Sequence, residues 1–260
     1  MRVRRWLTGI LVPVVAVLGT LLGSSPAQAL PIAPPAPVPV TGIPDPCPAR
    51  HPWPEDANLV HVRNLMQKDH GIKLVGQWWT EPRYRPMVRI VWETLDALSC
   101  TDYLAVTKSK VKPYLTISAG STGSWAWGDW GLTTPGALTF DFAKWQQALD
   151  EHDPGRLVRL VVHEIAHAYN SDRGDEPAYW SSFRRVYLAE GRFSHYGHND
   201  METYADVVGY YVARCARDNP FDNQSDKGNR AYYDWARTWI FKGAEFGPAP
   251  GTKVNCSRSS

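Results

Sequence analysis

Residues 153–170, Asp-Pro-Gly-Arg-Leu-Val-Arg-Leu-Val-Val-His-Glu-Ile-Ala-His-Ala-Tyr-Asn, constrain the fold more than any other stretch of the chain. Asp153 can cap a first helical turn, and Pro154 suits the first helical position, where an N–H would be unpaired anyway. Leu157, Val158, Leu160, Val161, Val162, Ile165, Ala166 and Ala168 then give the helix a nearly all-round apolar surface. Such a helix belongs in a domain centre. Two histidines and a glutamate inside it are costly to bury unless something pairs with them. His163 and His167 are four residues apart, so their rings lie one above the other and can turn toward a single cation. Glu164 stands beside that point. Two imidazoles for Zn2+ and a carboxylate as general base toward water are what the His-Glu-x-x-His pattern supplies.

A catalytic zinc takes three protein ligands and keeps a fourth position open, so a third group must come from elsewhere. A metzincin would continue with glycine at 170 and histidine at 173; Asn170 and Arg173 stand there instead. The remaining candidates downstream are Asp175, Glu176, Glu190, His195, His198, Asp200, Glu202 and Asp206. Glu202 and Asp206 share one face of a helical pattern, with Tyr204, Val207, Val208 and Tyr211 on one side. One of them can bind metal while the other accepts the free ring N–H of a ligating histidine. A competing reading makes Asn199 or Asp200 a helix cap, with Glu202 closing a capping box. His195 and His198 precede this helix and remain alternative ligands.

The His-Glu-x-x-His helix, followed some tens of residues later by Glu-x-x-Ala-Asp, resembles the gluzincin metallopeptidases. More narrowly, Ser194-His195-Tyr196-Gly197 ahead of Glu202-Thr203-Tyr204-Ala205-Asp206 is similar to the corresponding stretch of the anthrax lethal factor catalytic domain and related small secreted gluzincins. The resemblance implies His163 and His167 as metal ligands, Glu202 as the third ligand, Glu164 as base and Tyr196 as the residue stabilising an oxyanion. Asp206 stands where that group has glutamate, and the Tyr196 to Glu202 spacing is one residue shorter. The resemblance also implies that the strand before the motif helix, residues 136–142, forms the upper edge of a cleft and pairs with a peptide or protein substrate in extended form.

Arg2, Arg4 and Arg5, the apolar run from Trp6 to Leu22 and Ala27-Gln28-Ala29 make residues 1–29 a signal peptide, with cleavage expected before Leu30 and a secreted product. No later stretch is apolar and long enough to span a bilayer. Losing three arginines and no acid takes the formal charge from +2 to one unit below neutral. Nothing in that balance favours nucleic acid or an anionic membrane. Cys47, Cys100, Cys215 and Cys256 form an even set that suits an oxidising exterior, with Cys47–Cys100 and Cys215–Cys256 the expected pairs.

Residues 30–54 are Pro-rich and read as an extended linker. Residues 55–260 suit a single domain. Helices are expected near 55–68, 86–98, 153–170, 201–215 and 229–241, and strands near 72–77, 114–118 and 137–142. The order gives an α+β, zincin-like domain, a small mixed sheet followed by a helical half with the motif helix central. Ser124 to Gly131 concentrates three tryptophans in a Gly-containing loop, either a pocket lip or a sugar platform. Two functions compete on these grounds: a secreted zinc-dependent peptidase, and a non-catalytic, metal-stabilised module that grips glycan or cell wall through its Trp-rich loop.

Overall fold

The computed structural model of the chain describes residues 50–223 and 228–252 together with Val254 and Cys256. The expected signal peptide, residues 30–49 of the linker and Cys47 lie outside the described residues. Cys100 is disulfide-bonded, but its expected pairing with Cys47 falls outside them too. Cys215 and Cys256 are joined, with Cα atoms 5.7 Å apart.

The first half mixes helices with short strands. Helix α1 (Leu59–His70) starts where Asn58 accepts the His61 N–H on its side chain and stops where Gly71 turns left-handed at φ 61°. Strand β1 (Lys73–Val75), helix α2 (Arg85–Leu98) and helix α3 (Tyr103–Lys110) follow. Three strands come next, β2 (Thr116–Ala119), β3 (Gly128–Trp130) and β4 (Ala137–Phe140). The sheet is mixed, in the order β1-β2-β4-β3. β1, β2 and β4 are parallel, and β3 runs antiparallel to β4, with Asp129 opposite Thr139.

This order corrects the expectation for residues 136–142. β4 is not an edge: β2 bonds it on one side and β3 on the other. All four of its residues are buried, so both faces are covered, as in the interior of a parallel sheet. The strand also ends earlier. Phe142 already belongs to helix α4 (Phe142–Asp150), because the Asp141 side chain accepts the Lys144 N–H and caps a first turn there. The edge beside the motif helix is β3.

From Phe142 onward the described chain is helical. Helix α5 (Pro154–Tyr169) carries the motif, and the Asp153 side chain accepts the Arg156 N–H at its start. Helices α6 (Ala178–Glu190) and α7 (Asp200–Val212) come next, then α8 (Gly228–Trp235), which runs into a π turn over Ala236–Ile240. Leu157, Val158, Val161, Val162, Ile165, Ala166 and Ala168 of α5 are all buried in the single hydrophobic core, while Leu160 is only partly covered. α7 lies directly against α5. A Cβ placed on Gly209 would come 2.9 Å from the Arg159 carbonyl oxygen and 3.5 Å from the His163 Cβ, so only glycine allows the helices this close.

Candidate metal centre

Two neighbouring helices supply the site. The i, i+4 spacing on α5 places the Nε2 atoms of His163 and His167 3.1 Å apart. Asn199 starts α7 by accepting the Glu202 backbone N–H at 2.9 Å, which leaves the Glu202 side chain free to turn toward α5. Its Oε2 lies 3.2 Å from His163 Nε2 and 3.6 Å from His167 Nε2. The cap that competed with ligation therefore exists, and the capping group is Asn199.

These three separations match one cation. Bonds of about 2.0–2.1 Å at tetrahedral angles give ligand-to-ligand edges of about 3.3–3.4 Å. Glu202 Oε2 is also buried without a hydrogen-bond partner, despite two ring nitrogens nearby. A shared cation would satisfy that orphaned oxygen. Among the described residues, His163, His167 and Glu202 are the one group of three that could hold a metal ion. Asp175, Glu176, Glu190, His195, His198 and Asp200 do not join it. Asp200, for example, faces Arg184 at 3.7 Å.

One turn beyond Glu202, the fully buried Asp206 accepts the His163 Nδ1 hydrogen at 2.9 Å, which directs Nε2 toward the ligand cluster. Its other oxygen accepts from the Ser194 hydroxyl. Ser194 Oγ in turn accepts the Tyr196 and Gly197 backbone N–H groups at 3.2 and 3.1 Å, fixing the loop ahead of α7. Arg159, one turn before His163 on α5, lies 3.4 Å from Asp206.

The titratable groups reflect this crowding. Burial disfavours a charged His163, yet its hydrogen bond to Asp206 and the nearby Glu202 carboxylate prevail and push its pKa up to about 9. Burial likewise works against ionised Glu202 and Asp206. For Glu202 the two histidines outweigh it, for Asp206 Arg159 and His163 do, and both carboxyls are held below their usual range. The ligand cluster is thus arranged around positive charge, which a divalent ion can supply in place of protons. Glu164 behaves differently, because burial pushes its pKa up and the histidines only partly oppose that. It lies under β3, where a Cβ on Gly128 would come 3.2 Å from the Glu164 Cγ.

No family model, characterised protein or solved structure matches this chain.

Tyr196 stands at the rim. Its ring centroid is 5.7 Å from that of His163 and 6.2 Å from that of Trp125. Burial, with Glu202 and Glu164 nearby, pushes its pKa up to about 12, so the phenol remains a hydrogen-bond donor at neutral pH. Two hollows meet at this residue. One of about 220 Å³ holds His163 and Glu164 and is roofed by Trp125, Trp127 and Gly128. The other, about 850 Å³, touches Tyr196 but none of the three ligands.

Sequence reasoning did not single out Arg159, the role of Ser194, or β3. Arg159 carries a readable signal, since it stands four residues before His163 and shares its helix face. Ser194 lies within the Ser-x-Tyr-Gly stretch but shows no spacing that would assign it to Asp206.

Proposed function

We propose that this chain is an exported zinc-dependent peptidase of gluzincin type on a zincin-like domain. The observation that carries the reading is that α7 delivers two carboxylates at once, Glu202 at tetrahedral spacing from both histidines and Asp206 at the far nitrogen of His163. Two nitrogens and one carboxylate oxygen suit zinc. No fourth His, Cys, Asp or Glu joins the three among the described residues, whereas a purely structural site closes its fourth corner.

Zinc held by His163, His167 and Glu202 would supply Lewis acidity, acidifying water and polarising a carbonyl. Glu164, buried next to His163 with a raised pKa, takes the proton from the attacking water and passes it to the leaving amine. Tyr196, protonated and at the rim, donates a hydrogen bond to the oxygen that gains charge. Arg159, whose guanidinium lies 5.4 Å from the Tyr196 ring centroid, favours negative charge near that phenol. Asp206 holds the His163 tautomer, and through Ser194 it also holds the Tyr196 loop. An extended peptide has one open sheet edge to pair with near this point, β3, and the Trp-rich loop next to that strand roofs the same cavity. That placement favours the pocket-lip role for Trp125 and Trp127 over a separate sugar platform.

The decisive experiment is Glu164→Gln. The variant is expected to retain one equivalent of zinc by atomic absorption and to lose about 10²- to 10⁴-fold in peptide turnover. Turnover at the unmutated rate would refute the mechanism.

A further inference from the structure

The smaller cavity carries more positive charge than the proposed chemistry uses, which asks of Arg159 only a field near the Tyr196 phenol and of Arg156 nothing. Arg156, Arg159, Leu160 and His163 follow i, i+3, i+4, i+7 spacing, so they form one stripe of α5, and all four line this hollow. Its volume of about 220 Å³ is room for about seven waters, or for one side chain. Trp125 and Trp127 form the facing wall, and Glu164 is the only acid in the lining.

Arg159 is the buried cation of the pair, its side chain 14% exposed. Asp206 does not saturate it. Asp206 Oδ1 already accepts from His163 at 2.9 Å and Oδ2 accepts from Ser194, while the guanidinium lies 3.4 Å away. The Arg159 Nε is buried with no partner. Its other neighbours are two tyrosines, with the Tyr196 and Tyr210 ring centroids at 5.4 and 5.2 Å and the Tyr210 phenol hydrogen-bonded to it, which still leaves N–H groups of the five-donor guanidinium unmatched. Arg156 is half-exposed toward solvent, lies 4.2 Å over the Trp127 ring and meets Glu151 at 3.3 Å. A planar cation with spare donors, sheltered next to a reacting centre, matches the planar oxygens of a carboxylate.

The geometry points to a specificity pocket: the cavity takes a carboxylate of the substrate, from an acidic side chain or a free C-terminus, on Arg159 with Arg156 beside it. The inference deepens the peptidase reading and rests on it for the bond that is cut, but the binding it requires can be measured without turnover.

The test uses the full, zinc-loaded chain carrying Glu164→Gln, titrated calorimetrically with matched peptides. One series exchanges Glu for Gln at each position in turn; the other compares a free C-terminal acid with its amide. The carboxylate member of one pair binds about 10- to 100-fold more tightly, the range of a charge-assisted hydrogen bond. The series showing the gap identifies the source of the carboxylate. Adding Arg159→Met closes the gap, and Arg159→Lys restores part of it. Arg156→Glu, at a more exposed position, narrows the gap by about threefold without threatening the fold. Equal binding of every carboxylate and neutral pair overturns the pocket. So does an Arg159→Met chain that weakens both members of a pair equally, since Arg159 would then only brace Asp206. The peptidase reading fails on a separate result, namely that the wild-type chain cleaves none of these peptides.

Discussion

At the scale of single residues, two buried groups make predictions. Asp206 fixes the orientation of His163, so Asp206→Asn, which preserves shape but misplaces a donor, should weaken zinc binding about 10- to 100-fold in a chelator competition. An unchanged affinity would show that His163 needs no such partner. His70, at the end of α1, is 3% exposed, with its Nε2 buried and unpartnered. Its ring meets those of His51 at 5.4 Å and Trp92 at 5.9 Å. Burial, then the nearby His51, lowers its pKa from 6.5 to about 4, with Asp69 opposing and Lys108 adding to the shift. Because the folded form resists the proton that the unfolded chain accepts, stability falls as pH drops from 6.5 toward 4, by roughly 3 kcal/mol in total. Urea unfolding at a series of pH values should show this slope in the wild type and a shallower one in His70→Gln; equal slopes would refute the assignment.

At the scale of elements, the site depends on how closely α7 approaches α5. Gly209→Ala places a methyl 2.9 Å from the Arg159 carbonyl, and backbone must move to relieve it. The substitution should cost about 1–3 kcal/mol of stability and lower zinc affinity in parallel, measured by denaturation and chelator competition on one preparation. A loss of stability with zinc affinity intact would mean that the ligands tolerate a shifted helix. The elements that sequence made legible are those with punctuation. Asp153-Pro154 announced α5, Asn199 announced α7, and the apolar spacing of Val88, Val91, Trp92 and Leu95 announced α2. Those that escaped lack such marks. β3 is three residues long, begins with glycine and shows no alternation. The strand expected over 137–142 takes in only the first residue of α4, the apolar Phe142, and the Asp141 cap that starts the helix there carries no distinctive spacing. α6 buries Tyr179, Trp180 and Phe183 among Ser and Arg residues, a weak stripe. Helix spacing places His163 and His167 on one face and Glu202 and Asp206 on another, but which carboxylate turns toward both histidines depends on how α7 packs against α5. The edge strand was not legible, since strand order is a property of the assembled sheet.

At the scale of the whole molecule, cross-links between distant parts of the chain should govern unfolding. The Cys215–Cys256 bridge joins positions 41 residues apart, and closing such a loop is worth about 4 kcal/mol in the chain-entropy model. Cys215→Ser with Cys256→Ser should therefore lower the urea midpoint by a corresponding amount; an unchanged midpoint would mean that the bridge constrains nothing the fold does not already hold. A metal held by His163, His167 and Glu202 would be a second cross-link, between α5 and α7. Zinc added at about 100 times its dissociation constant should raise stability by about 2.7 kcal/mol, and EDTA should reverse this in a calorimetric scan. No helix among the described residues is long and apolar enough to cross a membrane. The sharing of Asp206 between His163 at 2.9 Å and Arg159 at 3.4 Å also sets a rule for redesign. If Arg159 sets substrate choice as proposed, a protein engineer who replaces it removes a counter-charge from the same carboxylate that orients His163. Selectivity and cofactor retention in this scaffold must therefore be optimised together, with each Arg159 variant screened for both before any gain in one is credited.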